Sequence, residues 1–282
     1  MKFVHLRLYL CRMYSKYQLT KKYLHYLLYA SNGKGHGIHS PFVFDFVTKV
    51  LNDKKNYRCY KEIETLRSSL LKDETVLKIE DFGAGSRVNA TNERKISAVA
   101  KSALKPKKFG RLLYRMVQHY QPKTILELGT CFGITTSYLS NGNAGAQVST
   151  MEGAAQIAAV AKKDFEKLSL KNIELIEGNF DETLPEFIQQ FQAKNKTIDF
   201  AFIDGNHRYE PTVRYFHSLL EIINENSILI FDDIHWSEEM ENAWKEIIAH
   251  EAITLSIDLF FIGIVFFRKE FKAKQDFEIK FL

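Results

Sequence analysis

Cysteine is scarce in this 282-residue chain. Cys11, Cys59 and Cys131 are odd in number and far apart, so neither a disulfide framework nor a four-ligand zinc site follows from them. A reducing, cytoplasmic setting is the expectation. No apolar run approaches the roughly 20 residues of a membrane span. The N-terminus is basic but lacks a long apolar core and a small-residue cleavage site, which argues against a signal peptide. Acidic residues are missing from the first 44 positions, where Lys2, Arg7, Arg12, Lys16, Lys21, Lys22 and Lys34 stand. Subtracting these seven charges from the net +5 leaves −2 for the rest of the chain. Internal repeats and low-complexity tracts are absent. The remainder is ordinary globular material: 45% hydrophobic residues, enough for a full core, and 26% charged. The length suits one core domain plus an extension.

Residues 1–30 predict a helix rich in Tyr and Leu, with Leu6, Leu10, Tyr14, Tyr17, Leu24 and Leu28 roughly on one side. A basic helix with aromatics suits either an anionic membrane surface or packing on the main domain. The irregular stripe favours packing. SNGKGHGIHS (31–40) is a loop by composition. His36 and His39 lie in it without a neighbouring Cys or carboxylate, so two loop histidines outweigh half a metal site. Ser40 and Pro41 then mark a helix start, as N-cap and first helical residue.

From about residue 111 strand-like runs alternate with helical stretches. The runs are TILEL (124–128), QVSTM (147–151), IELI (173–176), DFAFI (199–203) and SILIF (227–231). Helical segments lie near 133–140, 154–168, 182–192, 210–223 and 238–250. Such alternation requires a mostly parallel sheet covered on both faces. ITLSIDLFFIGIVFFR (253–268) leaves no room for a helix and predicts an antiparallel hairpin at the sheet edge.

Two Gly-rich stretches compete for an adenosine-containing ligand: EDFGAGS (80–86) and LELGTCFG (126–133). Only the second sits between a clear strand and a helix. Glu152 follows it at the end of the next strand, placed to accept from both ribose hydroxyls. Asp81, Gly83 and Gly85 are therefore assigned to a structural or substrate-side turn. A pyrophosphate needs the G-x-G-x-x-G turn, whereas this loop is Gly129-x-x-x-Gly133 with Thr130 and Cys131 between. S-adenosylmethionine has no phosphate and needs room for its methionine part, which Gly129 and Gly133 are expected to leave. Glu127 suits the amino-acid end of that cofactor. Thr130 and Asn179, the latter just past the third strand, complete the candidate cofactor set together with Asp204. Cys131, near a helix start, is either an activated thiol or a small filler, and the filler is favoured.

ILELGTCFGITTSYL resembles the first motif of class I S-adenosylmethionine-dependent methyltransferases. IDFAFIDGNHRYEPTVRYF followed by SILIFDDIHW resembles the later strands of the O-methyltransferase branch that includes catechol O-methyltransferase and its bacterial relatives. The likeness spans roughly residues 110–268, and its strength lies in the order and spacing of all the pieces. It implies an α/β fold: a Rossmann-like doubly wound seven-stranded sheet with the last strand antiparallel, plus a helical N-terminal extension. Residues 1–105 are assigned to that extension, with an acceptor-side or lid role, and 106–282 to the cofactor-binding domain.

Asp204 ends the fourth strand, and Asp232 and Asp233 end the fifth, so all three face one crevice. Clustered carboxylates repel unless a cation or protons compensate. Oxygen ligands suit Mg²⁺, with Mn²⁺ or Ca²⁺ as alternatives. The resembling metal-dependent enzymes carry Asn where this chain has Asp233. The competing reading has Asp204 shape the cofactor pocket and the acidic pair cap the next helix. His207 stands at the offset from Asp204 where catechol O-methyltransferase keeps its lysine base, and an imidazole takes a hydroxyl proton at neutral pH. Its alternative is a turn residue that positions Tyr209. His235 and Trp236 either line the acceptor pocket or serve loop and core. Together these readings predict methyl transfer to a small-molecule hydroxyl. The rivals are a metal-free N-methyltransferase and a non-catalytic cofactor-binding or membrane-associated protein. The slightly acidic domain argues against a nucleic-acid substrate.

Overall fold

The structure, a computed structural model, describes residues 13–31, 33–78 and 93–282. The N-terminal part contains α1 (Lys16–Tyr29), α2 (Pro41–Asp45) running into a π-helical turn (Phe46–Leu51), and α3 (Arg58–Leu70). A short hairpin follows, β1 (Val76–Lys78) and β2 (Glu93–Lys95), then α4 (Ile96–Ala103) and α5 (Lys107–Tyr120). From there strands and helices alternate. They are β3 (Thr124–Leu128), α6 (Ile134–Gly142), β4 (Gln147–Glu152), α7 (Ala155–Lys167), β5 (Ile173–Glu177), α8 (Phe180–Ala193), β6 (Ile198–Ile203), α9 (Tyr209–Leu219), β7 (Ile223–Asp232) and α10 (Glu238–Ala249). The chain closes with β8 (Leu255–Asp258), β9 (Ile262–Phe266) and β10 (Gln275–Glu278).

The main sheet has the order β10-β8-β9-β7-β6-β3-β4-β5. β3 pairs in parallel with both β4 and β6, so the winding reverses between them, which is where ligands bind in open α/β sheets. β9 is antiparallel to β7 and to β8, as the expected hairpin requires. The strand count differs from expectation: eight, not seven, because β10 adds in parallel to β8. QDFE is a four-residue, charge-bearing edge strand, and such a segment lacks the apolar run that marks an interior one.

Strand alternation sends Ile125, Val148, Phe200, Phe202, Ile228 and Ile230 to one face. There they meet Leu112, Leu113 and Met116 of α5, and also Val43, Phe46, Val47 and Val50 of the extension. Leu126, Ala201, Ile203, Leu229 and Phe231 face the other way, against α8, α9 and α10. α3 and α4 pack through Tyr60, Ile63 and Val99 onto Phe132, Ile134 and Tyr138, beside the loop after β3. The extension thus shares the core of the domain.

The first helix differs from expectation. It begins at Lys16, where Ser15 and Gln18 form a reciprocal capping box. Its buried side is Tyr26, with Tyr23 and Leu27 half-buried against Phe260 and Phe261, while Tyr17, Leu24 and Leu28 are exposed. Aromatic rings at the β8–β9 turn select Tyr23 and Tyr26 over the Leu-rich stripe. Tyr26 also bonds the Ile279 carbonyl and accepts from the Phe281 N–H, tying α1 to the segment that follows β10. The break before Pro41 falls as expected, although the Ser40 side chain makes no cap bond. Leu6 and Leu10 lie outside the described residues, as does Cys11.

Candidate active site

Strand register builds the site. Leu128 is level with Met151 on one side and Ile203 on the other, and Ile203 is level with Phe231. The residues that follow, Gly129, Glu152, Asp204 and Asp232, therefore stand in one row at the carboxyl ends of four strands.

Gly129 has φ +105° and Gly133 φ +73°. A Cβ on Gly129 would collide with the carbonyl oxygen of Asp204, and one on Gly133 with the ring of Phe165. This corrects the expectation that the glycines leave room for the cofactor's methionine part. Protein already fills that space, and Gly129 instead lets the loop touch the end of β6. Thr130 is buried with its hydroxyl 2.6 Å from that of Thr150. Burial pushes the Cys131 thiol well above its ordinary range, so it is the filler and not an activated nucleophile.

Glu127 is fully buried. Its Oε2 accepts from the hydroxyls of Thr136 and, at 2.7 Å, Thr150, while Oε1 has no hydrogen-bond partner among the described residues. Burial raises its pKa to about 8, against the lowering effect of the two hydroxyls. An orphaned acceptor in a buried site calls for a donor, and the α-ammonium of S-adenosylmethionine is one. Glu152 accepts from the N–H groups of Cys131 and Ala154, each at 2.9 Å. These bonds hold the carboxylate beside the glycine loop. Asn179 caps α8, its Oδ1 accepting from Asp181 N–H at 3.1 Å.

Asp204, Asp232 and Asp233 do come together, and they enclose a residue that sequence reasoning missed. The ammonium of Lys105 pairs with Asp232 Oδ2 and lies 3.3 Å from Asp233 Oδ1 and 4.0 Å from Asp204 Oδ1. No motif or spacing relates Lys105, at the α4–α5 junction, to strand-end acids far downstream. His207 Nε2 is 3.4 Å from the same Asp204 oxygen. Burial alone would raise the Asp204 pKa, but Lys105 and His207 more than offset it, and the net shift is downward. Asn206 and His207 both have positive φ, +68° and +39°, and Asp233 has +53°. Strained turns thus aim His207 and Asp233 at the cluster. The oxygens of Asp204 and Asp232 and a nitrogen of His207 lie within 4.8 Å of one another, a donor set suited to Mg²⁺ or Mn²⁺. As these side chains stand, an ammonium already holds the position among the acids, so a divalent ion does not fit beside it.

His235 and Trp236 are tied to neighbouring elements, as a loop and core role requires. His235 is bonded at both nitrogens, to Glu241 at 3.1 Å and Asp258 at 2.7 Å, and Trp236 Nε1 donates to Met13 Sδ. Glu241 also receives Lys22 and Tyr14, both at 2.8 Å, which anchors the extension. Burial would lower the His235 pKa, but its two carboxylate partners raise it to about 9. Burial would likewise raise Glu241, yet His235, Lys22 and Tyr14 bring it to about 2. A raised histidine stabilises fully below its unfolded pKa and loses that contribution as pH rises through about 9. A depressed glutamate stabilises above its unfolded pKa and fails only as pH falls through about 2. His235→Ala should therefore lower thermal stability by on the order of 3 kcal/mol near pH 6 and much less above pH 9. Melting curves across that range check this, and an equal loss at both ends would contradict it.

His36 and His39 belong to no potential metal cluster among the described residues. Asp81, Gly83 and Gly85 lie outside the described residues. No helix among the described residues is long and apolar enough to cross a membrane.

Comparison with known proteins agrees with this geometry. A family model described as a methyltransferase domain matches residues 126–234. A catechol O-methyltransferase of Niastella koreensis is 25% identical over 161 residues, covering 56% of this chain and 69% of that protein. Among solved structures, a Podospora anserina methyltransferase bound to S-adenosylhomocysteine aligns with a TM-score of 0.56 at 14% identity, over 82% of this chain and 97% of that one. A Bacillus cereus O-methyltransferase, also solved with S-adenosylhomocysteine, gives 0.51 at 20% identity, over 80% and 97%. The two structures bear on the fold alone. The family model and the curated relative, with the row of Gly129, Glu152, Asp204 and Asp232, assign residues 126–234 to a methyltransferase domain, and the chain is similar there to O-methyltransferases.

Proposed function

We propose that this enzyme moves the methyl group of S-adenosylmethionine to a hydroxyl oxygen of a small molecule. One observation carries the reading: a ribose-binding candidate, Glu152, and an acid–imidazole pair, Asp204 and His207, sit at the ends of β4 and β6, which flank β3. The sulfonium already activates the methyl carbon. The protein has to hold acceptor oxygen, methyl carbon and sulfur in line and take the hydroxyl proton, which His207 is placed to accept. Glu127 and Glu152 hold the amino-acid and ribose ends of the cofactor, with Thr130 and Asn179 shaping its loop walls.

The divalent metal expected from the sequence has its support in the donors Asp204, Asp232 and His207, and its obstacle in Lys105. The free thiols of Cys59 and Cys131 support a reducing, cytoplasmic setting. The packing of the extension beside the loop after β3 supports a role for it in shaping the acceptor side.

The test is release of S-adenosylhomocysteine over matched panels of hydroxyl and amine acceptors. Methylated oxygen is the expected product. Preference for amines would move the reading to an N-methyltransferase. Cofactor binding with no turnover on either panel would point to a non-catalytic protein.

A further inference from the structure

We propose that Lys105 supplies the positive charge at the reacting end of the site, in the place a divalent cation would take, so that methyl transfer here needs no metal. The inference rests on the methyl-transfer reading above and names how its acidic cluster is compensated.

Three observations carry it. First, the fit is chemical. An ammonium has three donors and no acceptor, and Asp204, Asp232 and Asp233 each place a carboxylate oxygen toward it. Asp232 is buried and has no hydrogen-bonding side chain among the described residues besides this ion pair. Removing the ammonium would leave it as an uncompensated buried charge. Second, the lysine is held in place. It precedes Pro106, which restricts its backbone to extended conformations, and Pro106 opens α5, whose Phe109, Leu112, Leu113 and Met116 are core residues. Its side chain is 13% exposed, an unusual burial for a lysine unless it is paired. Third, Lys105 and His207 face the same oxygen, Asp204 Oδ1, so the ammonium sits next to the group that takes the proton. A fixed positive charge there stabilises the developing oxyanion of the acceptor. A divalent ion bound to the same carboxylates would lie within a few ångströms of the ammonium, and their repulsion in a partly buried site disfavours joint occupancy.

The test uses Mn²⁺ alone as probe, followed by electron paramagnetic resonance on the full chain without cofactor or acceptor. Wild type should show no saturable binding below about 1 mM, and its turnover should be unchanged in a chelator. Lys105→Ala should bind one Mn²⁺ per chain, about 10²–10³-fold more tightly than wild type, because the competing charge is gone. Its turnover should fall and be partly restored by Mn²⁺, while Lys105→Arg stays metal-independent. Stoichiometric Mn²⁺ binding by wild type, with turnover lost in a chelator, would overturn the proposal. So would Mn²⁺ affinity and turnover in Lys105→Ala equal to those of wild type. Should Lys105→Ala not fold, the wild-type measurements decide alone. Because Mn²⁺ binding is read without acceptor, its outcome is separate from whether oxygen or nitrogen is methylated.

Discussion

Replacing His207 by alanine should lower turnover by about 10²–10⁴-fold, the usual worth of a positioned base. His207 Nε2 lies 3.4 Å from Asp204 Oδ1, which orients the ring. Its neighbours in the turn are poor substitutes. Arg208 stays protonated. The Tyr209 hydroxyl is bonded to Glu246 and so directed away from the acceptor. The Lys105 ammonium is committed to carboxylates. Affinity for S-adenosylhomocysteine should barely change, since the sulfonium makes no demand on an imidazole. A nearby positive charge acidifies the acceptor hydroxyl, so the deficit should be largest at low pH and shrink as the hydroxyl ionises unaided. Rates between about pH 6 and 9 check this. A variant that matches wild type throughout would make His207 only a structural residue of the turn.

Gly129→Ala should be the most damaging small substitution in the cofactor loop. The backbone there has φ +105°, and a Cβ would collide with the Asp204 carbonyl. Strain and overpacking together cost roughly 2–5 kcal/mol, or a fall in melting temperature of roughly 5–15 °C. Relief of the clash must separate the β3 loop from the end of β6, so the row of Glu152, Asp204 and His207 loses its spacing. Cofactor affinity should then drop more than about tenfold. Gly145→Ala is the control, because its nearest contact for a Cβ is the Asn143 side chain at 3.4 Å and its φ is not positive. Wild-type affinity and melting in Gly129→Ala would contradict the close approach.

The parallel half of the sheet was legible because its strands are buried on both faces and read as continuous apolar runs. TILEL, DFAFI and SILIF fall within β3, β6 and β7. Glu152, Asp204 and Asp232 were legible for a related reason, since each ends or follows such a run and register then aligns them. β10 was not legible, because an edge strand is specified by pairing more than by its own apolar content. The face of α1 was misread because periodicity reports which residues are apolar, not which partner surface is available. Tyr23 and Tyr26 won over Leu24 and Leu28 through Phe260 and Phe261, far away in sequence. For His235 the sequence left pocket lining and a loop or core role open, and only the tertiary fold brings Glu241 and Asp258 to its two nitrogens. Lys105 was invisible for the same reason: an ion pair between a helix junction and a strand end has no local pattern.

The central claim is that the carboxyl ends of β3, β4, β6 and β7 form a cofactor and methyl-transfer site. A crystal structure of the complex with S-adenosylhomocysteine, grown with Mg²⁺ present, tests it most directly. Ribose hydroxyls are expected on Glu152, the amino group beside Glu127, the sulfur facing Asp204 and His207, and Lys105 still seated among Asp204, Asp232 and Asp233. A cofactor bound elsewhere would contradict it, above all in the crevice of about 740 Å³ at the opposite strand ends, lined by Tyr120, Lys123, Asp199 and Asn224.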